Sequence, residues 1–323
     1  MIRQRLFAKM IGLGLMFGVA GLIGGCGRPS APAPSGAHKP RVALIMKSLA
    51  NEFFKTMENG ARAHQRLHPQ DYDLLVNGIK DEQDVSRQID LVEQMIAQRV
   101  NAIVLAPADS KALVPVCKKA LKDSIVVVNI DNLLDGAVET DQGVRIPFVG
   151  PDNRKGARLA GEYLARTLRG GDKVALIGGT PNAFNAVQRR LGFEEAMKAH
   201  GITIAAIQSA DWEMDKANQV AAALLTAHPD LKALLCANDS MALGAVTALR
   251  AIHKDGAIQV IGFDNISAVR QLLKEGKILC TVDQHADQLA AYGIQVALKI
   301  LQTNAKPANW QTPVDLITKA SLK

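Results

Sequence analysis

Residues 41–67, RVALIMKSLANEFFKTMENGARAHQRL, decide how this chain is built. The run 42–46 is apolar without a break, as a strand covered on both faces must be, and 53–67 then turns amphipathic at helical spacing. The unit recurs. Further strands are predicted at 74–76, 103–106 and 125–130, with helices at 85–98 and 112–121 between them. In the helix at 85–98, Val85, Ile89, Val92 and Ile96 share one face. A second series follows, with strands at 173–177, 202–207, 233–236 and 259–263 and helices around 157–168, 190–199, 216–227 and 241–252. The tail adds a strand at 278–282, a helix at 288–301 and a last strand near 314–318. Two successive βα series imply an α/β chain of two doubly wound, Rossmann-like parallel sheets, with 143–151 as a first crossover.

The start of the chain reads differently. Arg3, Arg5 and Lys9 precede a Gly-rich apolar run, 10–23, that ends at Gly24-Gly25-Cys26. The run is shorter than the ~20 residues of a membrane span, so it reads as a secretory leader rather than an anchor helix. The stretch LIGGC at 22–26 resembles a bacterial lipobox, which implies that Cys26 carries lipid and becomes the mature N-terminus. Residues 29–40, rich in Pro, Ala, Ser and Gly, form a solvated tether. After Cys26 there remain Cys117, Cys236 and Cys280, whose number and spacing suit neither a disulfide framework nor a zinc site. The formal charge of +7 is scattered and interleaved with acids, which describes a solvated surface and not a nucleic-acid face.

Ligands of open parallel sheets bind beyond the carboxyl ends of the strands. That position selects Lys47, Asn51, Phe53 and Phe54 after the first strand, and Asp131 with Asn132 after 125–130. The second series offers Arg189 at a helix start, then Trp212, Asn238, Asp264 and Gln284. Carboxylates, amides and a guanidinium suit sugar hydroxyls, which both donate and accept, and flat rings suit the C–H face of a sugar. Aromatic residues make up 4% of the chain, so three of them at strand ends are informative. Lys47 and Arg189 balance Asp131 and Asp264, which fits a neutral ligand better than a phosphate. The bland alternative is that the Asp and Asn residues are turn formers and caps, and that one of the two phenylalanines is core.

Seven segments together resemble the periplasmic binding proteins of the ribose and allose type: KSLANEFF (47–54), NID (129–131), RRLGF (189–193), SADW (209–212), CANDSMALG (236–244), GFD (262–264) and TVDQ (281–284). The resemblance runs from Arg41 to the C-terminus and implies the type I periplasmic binding protein fold. It also implies ligand contacts for Asn51, Phe53, Phe54, Asp131, Arg189, Trp212, Asn238, Asp264 and Gln284. At the position of Asn132, which the resemblance implies as a sugar contact, ribose-type members carry Arg and allose-type members an acid. This chain departs from both, whereas Lys47 and Trp212 look more allose-like than ribose-like. The resemblance further implies three hinge crossings, near 150–152, Gln284 and 313–315. The chain then divides into a leader (1–25), a tether (26–40), a first lobe (41–151 with 285–314) and a second lobe (152–284 with 315–323).

The expected protein is an exported, lipid-anchored monomer, without cofactor or metal, that closes on a monosaccharide and is recognised by an ABC-type permease. The alternatives are a sugar sensor with the same capture step, or capture of another small polar solute such as a polyol or nucleoside. A repressor core requires an N-terminal helix-turn-helix, and none is recognisable. For an exported enzyme, the sequence has no G-x-S-x-G elbow and no H-E-x-x-H motif. His64 and His68 stand at metal-pair spacing but read as a solvated helix face, and Gly178-Gly179-Thr180 reads as a βα turn or a phosphate cradle.

Overall fold

The computed structural model describes residues 39–306 and 308–322. The leader, Cys26 and most of the tether lie outside the described residues. The folded body begins one residue before its expected start, because Pro40 already accepts a hydrogen bond from the Asp73 N–H at 2.9 Å.

The first series comprises β1 (Arg41–Ser48), α1 (Glu52–Leu67), β2 (Asp73–Ile79), α2 (Val85–Ala97), β3 (Ala102–Leu105), α3 (Val114–Lys122), β4 (Val126–Ile130), α4 (Gly136–Gln142) and β5 (Phe148–Pro151). The second comprises α5 (Asn153–Ala165), β6 (Lys173–Gly178), α6 (Phe184–Ala199), β7 (Thr203–Ser209), α7 (Met214–Ala227), β8 (Leu231–Cys236), α8 (Asp239–Ala251), β9 (Gln259–Ile261), α9 (Ser267–Glu275) and β10 (Cys280–Asp283). After them come α10 (Ala286–Thr303), β11 (Trp310–Thr312) and β12 (Asp315–Thr318).

Among the described residues the strands form two sheets, ordered β11-β5-β4-β3-β1-β2 and β12-β10-β9-β8-β6-β7. All pairings are parallel except that of β12 with β10. The unbroken apolar run of β1 is explained by its two faces: Val42, Leu44 and Met46 enter one core, Ala43 and Ile45 another. Each sheet reverses strand order beside its first strand, between β1 and β3 and between β6 and β8. Such a switch point opens a crevice at the carboxyl ends of the strands. The chain passes between the sheets three times: after β5, after β10, and between β11 and β12.

The differences from expectation have local causes. In α2 the buried face is Gln88, Leu91, Val92, Met95 and Ile96, with Val85 and Ile89 only flanking it. Gln88 is admitted because its amide donates to Met46 O (3.1 Å) and Ala106 O (2.9 Å) and accepts from Ala108 N–H (2.8 Å). It thereby ties together the carboxyl ends of β1 and β3. Helix α6 starts at Phe184, not near 190, so Arg189 lies in its second turn and not at its start. The buried face of α6 mixes Asn185, Arg189 and Gly192 with apolar residues, which hides the hydrophobic period. The expected crossover 143–151 contains β5, held between β4 and the three-residue β11. Helix α4 has no buried residue to mark it and is begun by Asp135, which accepts from the N–H groups of Ala137 and Val138. Cys117, Cys236 and Cys280 are buried thiols.

Candidate ligand-binding site

The carboxyl ends of the two sheets face one cavity of about 230 Å³. Its lining includes Lys47, Asn51, Phe53, Phe54, Asp131 and Arg189, joined by Trp212, Asn238, Asp264 and Gln284. Ten of the eleven candidates read from the sequence therefore meet at one place.

On the first lobe, Asn51 caps α1 by accepting from the Phe53 N–H at 3.0 Å. This start delivers Phe53 and Phe54 into the cavity as an edge-to-face pair, 5.1 Å between centroids. Both rings also belong to the core, so the choice between core and cavity was not exclusive. Lys47 projects from the end of β1, its Nζ 3.4 Å from Asp131 Oδ2 and 3.5 Å from Glu82 Oε2. Burial lowers the affinity of Lys47 for its proton, but the two facing carboxylates outweigh it and hold the ammonium pKa above its ordinary value. The same Nζ stands 5.6 Å from the Phe54 ring and 5.5 Å from the Trp212 ring.

On the second lobe, Arg189 is 2% exposed. Its Nε donates to Asn153 Oδ1 and its Nη1 to Ala237 O, both at 2.8 Å. The guanidinium lies 3.7 Å from the Phe263 centroid and 3.6 Å from Asp264 Oδ1. Asp264 accepts from Gln284 Nε2 at 2.7 Å, and burial raises its pKa well above the carboxylate range although Arg189 opposes the shift. Asn238 caps α8 by accepting from the Met241 N–H at 2.8 Å, and its amide donates to Trp212 O at 3.3 Å.

The backbone is bent into the left-handed region at Asp131 (φ 64°), Trp212 (φ 70°) and Asp264 (φ 127°). That conformation is rare for bulky residues and gathers at ligand clamps. Trp212 is held there by the turn Ala210 N–H to Gly178 O (2.8 Å) and by Asn238. Its ring lies flat over Gly179, where a Cβ would come within 2.1 Å of it. The Gly178-Gly179-Thr180 turn is thus a floor for an indole, and the phosphate-cradle reading has no support.

Asn132 is not among the lining residues. Its amide donates to Pro107 O at 2.9 Å, and its Oδ1 accepts from the Asn185 N–H at 3.1 Å. The left-handed turn at Asp131 sends the next side chain away from the cavity. Two lining residues escaped the sequence reading, Glu82 and Asn185. Glu82 follows β2, where the strand-end position already pointed. Asn185 precedes Arg189 by four residues, so the pair shares a face of α6.

Four lining residues each carry a buried oxygen without a hydrogen bond: Asn185 Oδ1 and Gln284 Oε1 have no partner, while Glu82 Oε2 and Asp131 Oδ2 are met only by the Lys47 ammonium, at 3.5 and 3.4 Å. Buried acceptors need donors. The cavity therefore suits a ligand that donates hydrogen bonds to these oxygens.

Burial raises the Glu82 pKa from 4.5 to about 7, with Lys47 opposing. A raised carboxyl pKa contributes stability that is present below pH 4.5 and lost as pH climbs to 7. Glu82→Gln cannot ionise. Its ligand-free melting midpoint, relative to wild type, should therefore rise by a few degrees from pH 5 to pH 8. Parallel pH profiles would show that burial does not burden the Glu82 carboxylate.

A cavity between two doubly wound lobes, with polar groups and rings converging from both, defines a two-lobed solute-binding protein. Residues 42–306 match the family described as a periplasmic binding protein domain, and the chain belongs to that family. A relative from Pseudomonas aeruginosa named D-ribose/D-allose-binding protein is 57% identical over 284 residues, 87% of this chain and 89% of its own length. The ribose import binding protein of Escherichia coli is 30% identical over 281 residues, 87% of this chain and 91% of that protein. A solved ABC transporter solute-binding protein from Actinobacillus succinogenes, with bound D-allose, superposes with a TM-score of 0.83 at 35% identity, over 88% of this chain and 99% of that one. The family and the fold expected from the sequence are met, and these relatives bear the sugar-binding names that the resemblance implied.

Proposed function

We propose that this chain captures one neutral monosaccharide, ribose- or allose-like, between its lobes by hinge closure and presents it to an ABC-type permease. The observation that carries the reading is the set of four buried acceptors without a hydrogen bond, two of them facing only Lys47, beside two aromatic walls. Sugar hydroxyls donate to such acceptors, while Lys47 and Arg189 donate in return. The ten cavity residues from the sequence, with Glu82 and Asn185, are the proposed contacts. The three passages of the chain between the sheets are the proposed hinge. The names of the relatives support ribose or allose as the sugar.

The test is a thermal-shift panel of neutral pentoses, hexoses and polyols against sugar phosphates and amino acids. A ligand at a hundred times its Kd adds ~2.7 kcal/mol, a shift of several degrees. The proposal expects D-allose or D-ribose to give such a shift and sugar phosphates to give none. A shift from amino acids alone would overturn it.

The working compartment of the family is the periplasm, and we propose that this chain acts there as a monomer tethered by lipid on Cys26. The lipobox-like LIGGC segment supports the anchor, since a doubly acylated terminus holds where one chain binds only marginally. Palmitate labelling of cells should be lost in Cys26→Ala. Persistent label would contradict the anchor.

A further inference from the structure

The first N–H groups of a helix have no partner inside it, and a side chain at the N-cap usually supplies one. Of the three second-lobe helices that lack this, α6, α7 and α9, two are capped from outside the lobe. Helix α6 begins behind Ala183 and α9 behind Ile266, and neither N-cap side chain accepts a hydrogen bond. Their partners come from the other lobe. The Phe184 N–H donates to Ser110 Oγ at 3.0 Å, the Asn185 N–H to Asn132 Oδ1 at 3.1 Å, and the Ser267 N–H to Glu52 Oε1 at 2.8 Å.

From this geometry we infer that Ser110, Asn132 and Glu52 form a clasp that caps two second-lobe helices only while the lobes are together. The clasp stabilises the closed form without touching the ligand, and so sets how long a captured sugar stays. Asn132 is aimed for the task, since its donation to Pro107 O turns its Oδ1 toward α6. Glu52 adds a negative charge at a helix N-terminus, where the dipole favours it. Opening returns all three N–H groups to water. Each cap lost should then speed opening on the order of threefold to thirtyfold.

The inference rests on the sugar-capture reading and is tested with the best sugar of the panel. Ser110→Ala and Glu52→Ala, alone and combined, are measured by stopped-flow binding, with Glu52→Gln as the conservative variant. The expected result is dissociation about tenfold faster in the double variant, an association rate changed far less, and an unchanged ligand-free melting midpoint. Glu52→Gln should recover most of its share, because it keeps the acceptor. In the sugar-bound protein, amide exchange at Phe184 should accelerate in Ser110→Ala, and exchange at Ser267 in Glu52→Ala. Unchanged dissociation, or a matching loss of ligand-free stability, would overturn the clasp. A panel without any sugar binder sinks the capture reading alone, whereas tight sugar binding with unaltered dissociation in the double variant sinks the clasp alone.

Discussion

Arg189→Ala is expected to weaken sugar binding by about a hundred- to ten-thousandfold, the worth of two hydrogen bonds from a charged group at ~1.5–3 kcal/mol each. It should also lower the ligand-free melting midpoint by on the order of ten degrees. The guanidinium is pinned by Asn153 and Ala237 at 2.8 Å and stacked on Phe263, so its direction is fixed before any sugar arrives. Removing it leaves Asp264 buried without a counter-charge, and breaking such a pair costs ~3–5 kcal/mol. The raised Asp264 pKa moderates this, because the carboxyl can take up a proton. Arg189→Lys separates the two effects. It should recover much of the stability but little of the affinity, since an ammonium cannot reproduce the fork. Titration calorimetry reads the first effect and scanning calorimetry the second. Affinity within tenfold of wild type in Arg189→Ala would remove the guanidinium from the contacts.

Gly179→Ala is expected to cost about a hundredfold in affinity, as much as Trp212→Ala, although residue 179 is not among the proposed contacts. An added Cβ meets Cε2 and Cζ2 of Trp212 at 2.1 Å, and a fused ring cannot flex out of the way. The backbone cannot yield either, being locked in a left-handed turn by Gly178 and Asn238. The indole must leave the cavity wall, and the sugar loses a flat face that contributes both apolar contact and a cation–π partner for Lys47 and Arg189. The other tryptophan, Trp310, is partly exposed on the first sheet, so a red-shifted component of the emission reports the displacement. Unaltered affinity and emission would show that the indole does not form that wall.

Much of this site was legible because two physical facts recur in the chain. Strands buried on both faces read as unbroken apolar runs, and parallel strands deliver their next residues to one edge. Lys47, Asp131, Asn238 and Asp264 follow from that alone. What was hidden depends on side-chain direction and on distant partners. Asn132 sits at a strand end like Asp131, but a left-handed residue before it reverses its aim. Arg189 reads as a helix start because α6 carries no capping side chain of its own to mark its true beginning. Its caps come from residues 74 and 53 positions away, and that of α9 from 215 away, separations that no local pattern reveals. Glu82 lies within the charged stretch KDEQD (80–84), which reads as a solvated turn until Lys47 and Asp131 are seen beside it.

The most direct test of the capture reading is a crystal structure grown with the sugar that shifts the melting midpoint most. One neutral ring is expected between Trp212 and the Phe53–Phe54 pair, with hydroxyls donating to Glu82, Asp131, Asn185 and Gln284 and accepting from Lys47 and Arg189. Sugar bound outside this cavity, or an anionic ligand within it, would contradict the account.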